Sequence, residues 1–565
     1  MNCIYLRPVK SYFYWLAGLS VCHLFGLQLV NPGFAEPTSH TVNILQRPTN
    51  AQTNPSNAPT QNAESAGVPI LVKRIDIVGS TILSSSQIKQ LTEPLIGKSA
   101  SLSQIHEIAD KITKIYQDGN FITSRAIVPP QEVKDGIVKI QVLEGKIERI
   151  DIKRAGNVEG RLSDGYIRDR IALGTNPPLN FTRLEEELRL LRADPLISDI
   201  KANLVSGSAL DKNILQVTFS EAKTFAVQAF TDDYGNPSTG IFRVGTSVKE
   251  ANLTGNGDSI FASYTRSGSS DNYGFGYLYP INPTGGNLSF NLSFGQGPVI
   301  ESPFDTLNIS TYSQIYEIAY HQPIIRSIRE EFTLGLSFAL ENSSSFLNSQ
   351  SFNFQNLLFG DGISQSRVLH LIQDYINRDD AGAWAFHSSF NFGLDILGAT
   401  IRSDDSPDGR FFYWAGQALR AQRLGEDKDT LVSFRLNFQF AGNHLLSTNQ
   451  FGIGGAQSVR GYQQSQFVGD NGIQGSIEFQ FPALHDPDGV AIVKLLPFID
   501  AGTVWNSGST NTGTQSLLGI GLGTTYQPIR NLILRLDYGI PLINIATSSN
   551  NLQSSGLYFS VSGSF

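Results

Sequence analysis

Few stretches of this 565-residue chain combine residue types and spacing that could do chemistry. Gly97-Lys98-Ser99 has the ending of a phosphate-cradling loop, yet position 92 holds Thr where such a loop needs Gly, so nucleotide binding is not expected. The eight histidines are scattered, with no His-Glu-x-x-His and no paired spacing, so each is expected to be exposed or to line a lumen. No metal and no cofactor is therefore expected. A membrane-embedded lipase would need Ser, His and an acid brought together in space, and no stretch announces one. No enzyme is indicated. The strongest local signal is residues 441 to 472, which lie between two good strands and contain Phe451-Gly452-Ile453-Gly454-Gly455-Ala456-Gln457-Ser458-Val459-Arg460-Gly461-Tyr462. That is far longer than a hairpin turn requires, and connections of this length are usually functional or disordered. Its glycines permit a tight backbone that would present Arg460 at a loop tip. Arg460 is open to two readings: a solvated surface charge, or a guanidinium inside a barrel paired with a carboxylate, for which Asp500 in Phe498-Ile499-Asp500-Ala501-Gly502 is the candidate.

The elements that would position these residues divide the chain in two. Charged residues make up 26% of 68–222 and only 13% of 223–565, so two physically different regions meet near residue 222. The first reads as a β-α-α-β-β unit occurring twice. Ile70 to Val78 reads as a strand, and Ser101 with Gln104 as a capping box opening a helix with Ile105, Ile108, Ile112 and Tyr116 on one face. Phe121–Val128 and Gly136–Leu143 then read as strands. The second copy starts at Ile147, has a helix capped by Thr182 and Glu185, and closes with strands near Ile200–Leu204 and Ile214–Phe219.

From 223 onward the rhythm changes to period two. Leu431–Phe440 is apolar at every even position, and Leu288–Phe294, Phe332–Phe338, Phe386–Leu394, Ile473–Phe481 and the final Leu557–Phe565 alternate likewise. Such segments are strands with one apolar face. A soluble β-sandwich would alternate too. Strands of about nine to ten residues with aromatics at their ends suit a transmembrane antiparallel β-barrel better, and 343 residues at about 21 per strand would supply roughly 16 strands. After residue 35 no uncharged apolar run approaches the roughly 18 to 20 residues a spanning helix needs.

Composition agrees with an envelope protein. Only 16% of residues are charged and the net charge is −8, which speaks against a nucleic-acid partner. Arg7 and Lys10 precede an uncharged stretch, Ser11 to Val30, followed by Pro32-Gly33-Phe34-Ala35, so 1–35 is expected to be a signal peptide rather than an uncleaved anchor. Both cysteines, Cys3 and Cys22, fall inside it, leaving a mature chain without disulfides or a thiol nucleophile. Residues 36–67, rich in Asn, Thr, Pro, Gln and Ser, are expected to be a flexible linker.

Four features together resemble the two-partner secretion transporters of the bacterial outer membrane, the haemolysin and filamentous-haemagglutinin exporters. They are the Val459-Arg460-Gly461-Tyr462 loop, the Phe498-x-Asp500-x-Gly502 strand, the terminal Phe565, and the paired modules. In the first module, Asp118 to Gln131 and Asp135 to Gly145 closely resemble the family's first POTRA domain. The resemblance implies two periplasmic α+β POTRA domains, at 68–145 and 146–222, before a 16-stranded barrel at 223–565. It also implies an inward loop whose Arg460 pairs with Asp500, and Phe565 as the C-terminal barrel-assembly signal. The implied partners are a secreted polypeptide of the β-helical adhesin or haemolysin type, outer-membrane lipid, and the assembly machinery that inserts the barrel. Family members often carry an N-terminal plug helix, and 36–67 has no convincing helical pattern to match it. The expected function is export of a large partner without nucleotide; a barrel-insertion factor and a passive porin are the alternatives.

Overall fold

The computed structural model describes residues 45–46 and 69–565, less 157–159, 303, 354–357, 360–361, 404–405, 426, 428, 509–512 and 546–549. The expected signal peptide, and the linker apart from Leu45–Gln46, lie outside the described residues. Contacts divide the chain into two compact units, Ser39–Ala222 and a second containing Lys223–Phe565.

The first unit holds two modules of the same design. In one, Ile70–Leu71 (β2), Arg74–Val78 (β3), the helix Ser85–Thr92 (α1), Ser99–Ala100 (β4), the helix Leu102–Asp118 (α2), Arg125–Ile127 (β5) and Ile137–Leu143 (β6) follow one another after the isolated strand Leu45–Gln46 (β1). The sheet runs β3-β6-β5 with β3 and β6 parallel, and β2 pairs with β4 in a separate ribbon. The Ser101/Gln104 capping box forms as expected, and Ile105, Ile108, Ile112 and Tyr116 of α2 are buried against Val138, Ile140 and Val142 of β6. Burying that stripe is what fixes the helix on the sheet. The expected single strand Ile70–Val78 is in fact broken, because Val72 is fully buried and its amide turns to the Lys98 carbonyl. The expected strand from Phe121 shrinks to β5, since Phe121 packs edge-on against Tyr116 instead.

The second module comprises Lys146–Arg154 (β7), Asp164–Ala172 (α3), Phe181–Arg192 (α4), Ile197–Ser206 (β8) and Lys212–Glu221 (β9), with sheet order β1-β8-β9-β7 and β7 parallel to β9. The helix cap is Asn180 and not Thr182: its side chain accepts from the Arg183 amide and donates back to the Gly119 carbonyl of the first module. The reading of 36–67 as wholly flexible also fails at two residues. β8 is an edge strand with unpaired backbone groups, and Leu45–Gln46 adds to it in parallel, opposite Ala202 and Asn203.

The second unit is a closed antiparallel barrel. Its wall strands are Phe225–Asp232 (β10), Arg243–Ala251 (β11), Ser259–Ser267 (β12), Ser270–Pro280 (β13), Asn287–Pro298 (β14), Ile309–Arg326 (β15) and Glu330–Leu347 (β16), followed beyond the short hairpin Gln350–Asn353 (β17) and Leu358–Phe359 (β18) by Ile363–Arg378 (β19), Gly382–Gly393 (β20), Phe412–Arg423 (β21) and Leu431–Ala441 (β22). A small hairpin, Phe451–Ile453 (β23) with Phe467–Gly469 (β24), lies within the next connection. The wall then resumes with Asn471–His485 (β25), Ala491–Trp505 (β26), Gln515–Ile529 (β27), Leu532–Pro541 (β28) and Leu557–Ser564 (β29). That makes 16 wall strands, closed by β10 on β29. Several exceed the expected nine to ten residues, β15 and β16 reaching 18. Phe290, Leu292, Ile318, Leu336, Phe386, Trp414, Phe434, Ile473 and Leu522 are exposed on the outer face, while alternate residues such as Ser289, Asn291 and Asn391 face inward. An apolar exterior on a barrel with all its ladder bonds internal is the arrangement a lipid bilayer demands. Among the described residues no helix is long and apolar enough to cross a membrane. Phe565 exchanges backbone bonds with Val227 at 2.8 and 3.0 Å while its ring stands exposed, so the last residue helps close the seam.

Candidate functional site

The wall from β25 to β29 is built to receive a loop. Strand alternation turns Ser476 and Glu478 of β25 into the lumen, and register places Asp500 opposite Ser476 and Phe498 opposite Glu478 on β26. Gly519, Gly521 and Gly523 follow on the same face of β27, and Asp537 and Gly539 sit across from Gly523 and Gly521 on β28. Tyr558 of β29 lies beside Asp537. Five strands therefore bring together groups about 80 residues apart in sequence.

The connection between β22 and β25 folds inward onto this wall. Arg460, 4% exposed, donates from Nε to Asp500 Oδ2 at 2.7 Å and from Nη2 to Asp500 Oδ1 at 2.9 Å, a bidentate pair with a carboxylate that is fully buried. Its Nη1 reaches Glu478 Oε2 at 2.6 Å and Asp537 Oδ1 at 3.3 Å, and the guanidinium carbon lies 3.3 Å from the centroid of the Phe498 ring. Arg535 joins the same carboxylates, at 2.9 Å to Glu478 and 2.6 Å to Asp537. Arg435, opposite Ser476, adds a third guanidinium to that wall. Three carboxylates thus face three guanidinia, and their mutual attraction and hydrogen bonds offset the desolvation that burial costs.

The residues around Arg460 fix the main chain. Val459 is buried among Ile453, Tyr462, Val504 and Leu517, and Gly502 leaves room for it: an added methyl there would touch Val459 and Ile453. Gly461 has φ +102, a conformation that other residues rarely adopt, and its amide donates to the Tyr558 hydroxyl at 2.8 Å. Tyr558 in turn donates to the Tyr462 carbonyl at 2.6 Å. The Tyr462 hydroxyl lies 2.8 Å from the Leu518 carbonyl and accepts from the Ile543 amide at 3.0 Å. A methyl on Gly519 would overlap the Arg460 carbonyl, and one on Gly539 the Gly461 amide, so the loop backbone rests directly on backbone. At the base of the loop Asp470, fully buried, accepts from the amides of Leu445 and Ser507 at 3.0 Å and pairs with His444 at 2.8 Å.

The arrangement can hold a loop in place; it offers no nucleophile beside a base. All seven residues expected of the loop and its partner strand, Val459, Arg460, Gly461, Tyr462, Phe498, Asp500 and Gly502, meet in this one place, while Phe565 is apart from it at the seam. The sequence reading missed Glu478, Arg535, Asp537, Tyr558 and the glycines. A usable signal existed: Gly519-x-Gly521-x-Gly523 repeats with the strand period, and Glu478 holds an inward position of an alternating segment.

The family model for the haemolysin secretion/activation proteins ShlB/FhaC/HecB matches residues 211–526, and the model for the ShlB-type POTRA domain matches 70–145. The chain belongs to the haemolysin secretion/activation family. Among curated relatives, the outer membrane transporter CdiB of Dickeya dadantii (strain 3937) is 22% identical over 79% of this chain and 78% of its own. The hemolysin transporter protein ShlB of Serratia marcescens is 23% identical over 84% and 83%. Of solved structures, CdiB from Escherichia coli aligns with TM-score 0.65 at 17% identity, covering 90% of this chain and 93% of that one. BamA from Haemophilus ducreyi lacking POTRA domains 1–3 aligns with TM-score 0.53 at 16% identity over 88% and 100%, a likeness of fold. This family member is a two-partner secretion transporter of the outer membrane, and its family consists of transporters rather than enzymes.

Proposed function

We propose that this transporter captures an unfolded secreted partner on its periplasmic sheets and passes it through the barrel lumen, with the loop held by Arg460 and Asp500 positioning the constriction. The observation that carries this reading is a charged loop tip buried inside a barrel, on a wall floored with glycine. A surface charge needs neither three carboxylates nor a cleared backbone track. Residues 68–145 and 146–222 serve as the two POTRA domains, with 1–35 as signal peptide. Capture occurs by strand addition, in which backbone hydrogen bonds give affinity with little demand on sequence. The open sheet edges suited to this are β3, β5 and β7, whereas the β8 edge already carries β1. The partner is of the β-helical adhesin or haemolysin type, and its folding outside the cell makes passage one-way without nucleotide. Phe565 serves as the signal by which the assembly machinery inserts the barrel into lipid, its exposed ring being available for recognition.

The test is Arg460→Ala. Partner secretion should be lost while the barrel remains inserted and heat-modifiable; secretion at the wild-type level would overturn the role. An insertion factor would instead lose assembled barrel proteins from the membrane, and a passive porin would leak small solutes without binding any polypeptide.

A further inference from the structure

One arginine beside the docked loop is left out of the bonding. Strand alternation sends Phe434 and Leu436 of β22 to the lipid face, 43% and 42% exposed, and turns Arg435 between them into the lumen, opposite Ser476. Arg460 bonds Asp500, Glu478 and Asp537, and Arg535 bonds Glu478 and Asp537. Among the described residues the Arg435 guanidinium has neither a hydrogen bond nor an ion pair. The docked tip accounts for this. Arg460 occupies both oxygens of Asp500 and shares Glu478 Oε2 with Arg535. Its Nη2 also lies 3.4 Å from the hydroxyl of Ser476, the residue that separates Arg435 from Asp500. Arg435 thus stands beside carboxylates already in use, with two like charges for neighbours.

Those carboxylates are nonetheless within its reach. Ser433 stands opposite Glu478 and Arg435 opposite Ser476, so Glu478 is the diagonal neighbour of Arg435, about 7–8 Å away between backbones. Asp500 stands opposite Ser476 on the following strand, two strand spacings or about 10 Å from Arg435. All these side chains share the inward face, and the long arginine stem can carry its fork towards either carboxylate. With the tip docked, three guanidinia meet three carboxylates. When Arg460 leaves, Arg535 keeps Glu478 and Asp537, while Asp500, fully buried, loses both bonds to the guanidinium. A buried carboxylate stripped of its partner is strongly destabilising. Arg435 is placed to take that partner's position.

We propose that Arg435 is the stand-in cation of this wall: when the loop tip lifts, its guanidinium swings across Ser476 to Asp500 and Glu478, so that release exchanges one arginine for another. This rests on the reading of the Arg460 loop as the element that positions the constriction. Arg435 is a positioning residue in that scheme, because it acts on the loop through the carboxylates that hold it. Without a stand-in, every release of Arg460 would leave a bare buried charge, and the loop would be locked. With one, the two states lie closer in free energy, as a part that must let go and return requires. Arginine suits the task, since its fork can meet Asp500 in the same bidentate manner as Arg460 does.

The experiment reads loop release in outer membranes holding the full-length transporter, which is free of cysteine beyond residue 22. Leu517 of β27 is 1% exposed and packs with Val459 and Tyr462 of the loop, so the cysteine of Leu517→Cys reacts with a small maleimide when the tip lifts. In that background Arg460→Ala sets the upper labelling rate. Arg435→Met, uncharged and unbranched, should slow labelling about tenfold, because the released state loses about one charge-assisted bond. Arg435→Lys, which keeps a cation, should slow it by less than about threefold. A residue that merely shapes the wall predicts the opposite sign, since either replacement would loosen the loop. Unchanged or faster labelling of Arg435→Met, with the barrel inserted and heat-modifiable, would overturn the exchange. A second arm adds Arg435→Met to Arg460→Lys, whose weakened loop should regain at least about threefold in both protection and partner export. Protection regained without export would leave the exchange standing and overturn the loop's part in export. No protection regained would overturn the exchange itself.

Discussion

Replacing Arg460 by lysine keeps the charge and removes the fork. Arginine here makes two bonds to Asp500, one to Glu478 and a longer one to Asp537, and lays its plane over Phe498. A lysine ammonium is one nitrogen on a flexible stem and has no plane to stack. It can keep the closest carboxylate and one more, so about two charge-assisted bonds are lost. At roughly 1.5–3 kcal/mol each, the docked loop loses about 3–6 kcal/mol relative to any undocked state. Arg460 and Asp500 are buried, so solvent screening does not reduce that figure, though the bonds belong to one network and the lower end is the safer expectation. Every 1.4 kcal/mol is tenfold in an equilibrium, which makes the loss on the order of a hundredfold in docked over undocked loop. Secretion of the partner into the medium should therefore fall at least about tenfold for Arg460→Lys. The assay compares secreted partner with the amount and heat-modifiability of the barrel in isolated outer membranes. Wild-type export by the lysine variant, with the barrel present at normal level, would show that charge alone suffices and refute the argument from the fork.

Three further outcomes can be checked. The reciprocal exchange Arg460→Asp with Asp500→Arg should fail to restore secretion, because the new aspartate would face Glu478 and Asp537; recovery would mean those two carboxylates are bystanders. Gly519→Ala should impair export as severely as loss of Arg460, since its methyl overlaps the Arg460 carbonyl, while Gly475→Ala, whose methyl meets only ordinary contact, should export normally; equal behaviour of the two would remove the glycine floor from the account. In the first POTRA module, the Tyr116 hydroxyl donates to Glu144 at 2.5 Å and lies 2.8 Å from Ser80. Burial, and then the Glu144 carboxylate, push its ionisation above the ordinary tyrosine range. The folded module thus keeps the phenol protonated where the unfolded chain ionises, so the stability it confers is full below about pH 10 and declines as pH rises further. Tyr116→Phe should cost about 1–2 kcal/mol at neutral pH and flatten the alkaline loss, read as hydrogen exchange of α2 in the detergent-solubilised full chain. An unchanged alkaline slope would assign that loss to another group.

What the sequence disclosed here, and what it withheld, follows from range. Period-two alternation in Leu431–Phe440 and Ile473–Phe481 is local, and it suffices to separate a lipid face from a lumen face. The capping box at Ser101 and Gln104 is local as well. Arg460 and Asp500 were legible as candidates because each sits in a distinctive word, and resemblance joined them. Glu478, Asp537 and Tyr558 carry no such word. They converge on Arg460 only because register sets Glu478 beside Phe498 and Asp537 between Gly523 and Tyr558, and register is a property of the closed barrel. The capping-box pattern points to Thr182 because it looks only forward, whereas the Asn180 bond to Gly119 in the preceding module reaches 61 residues back. Leu45–Gln46 had no strand signal of its own, and borrows its conformation from the exposed edge of β8.

The floor under Arg460 and Gly461 has one more consequence. Where main chain touches main chain, the gap between them is set by hydrogen radii, and sequence change can alter it in one direction only: every replacement of Gly519 or Gly539 adds bulk. Drift elsewhere in the barrel is reversible tinkering with size, but this patch behaves like a ratchet stop. A lineage that lost a glycine here could regain the fit by restoring it or by retreating the loop, and a retreat would carry Arg460 away from Asp500. Across relatives, those glycines and that arginine are expected to persist or disappear as a set.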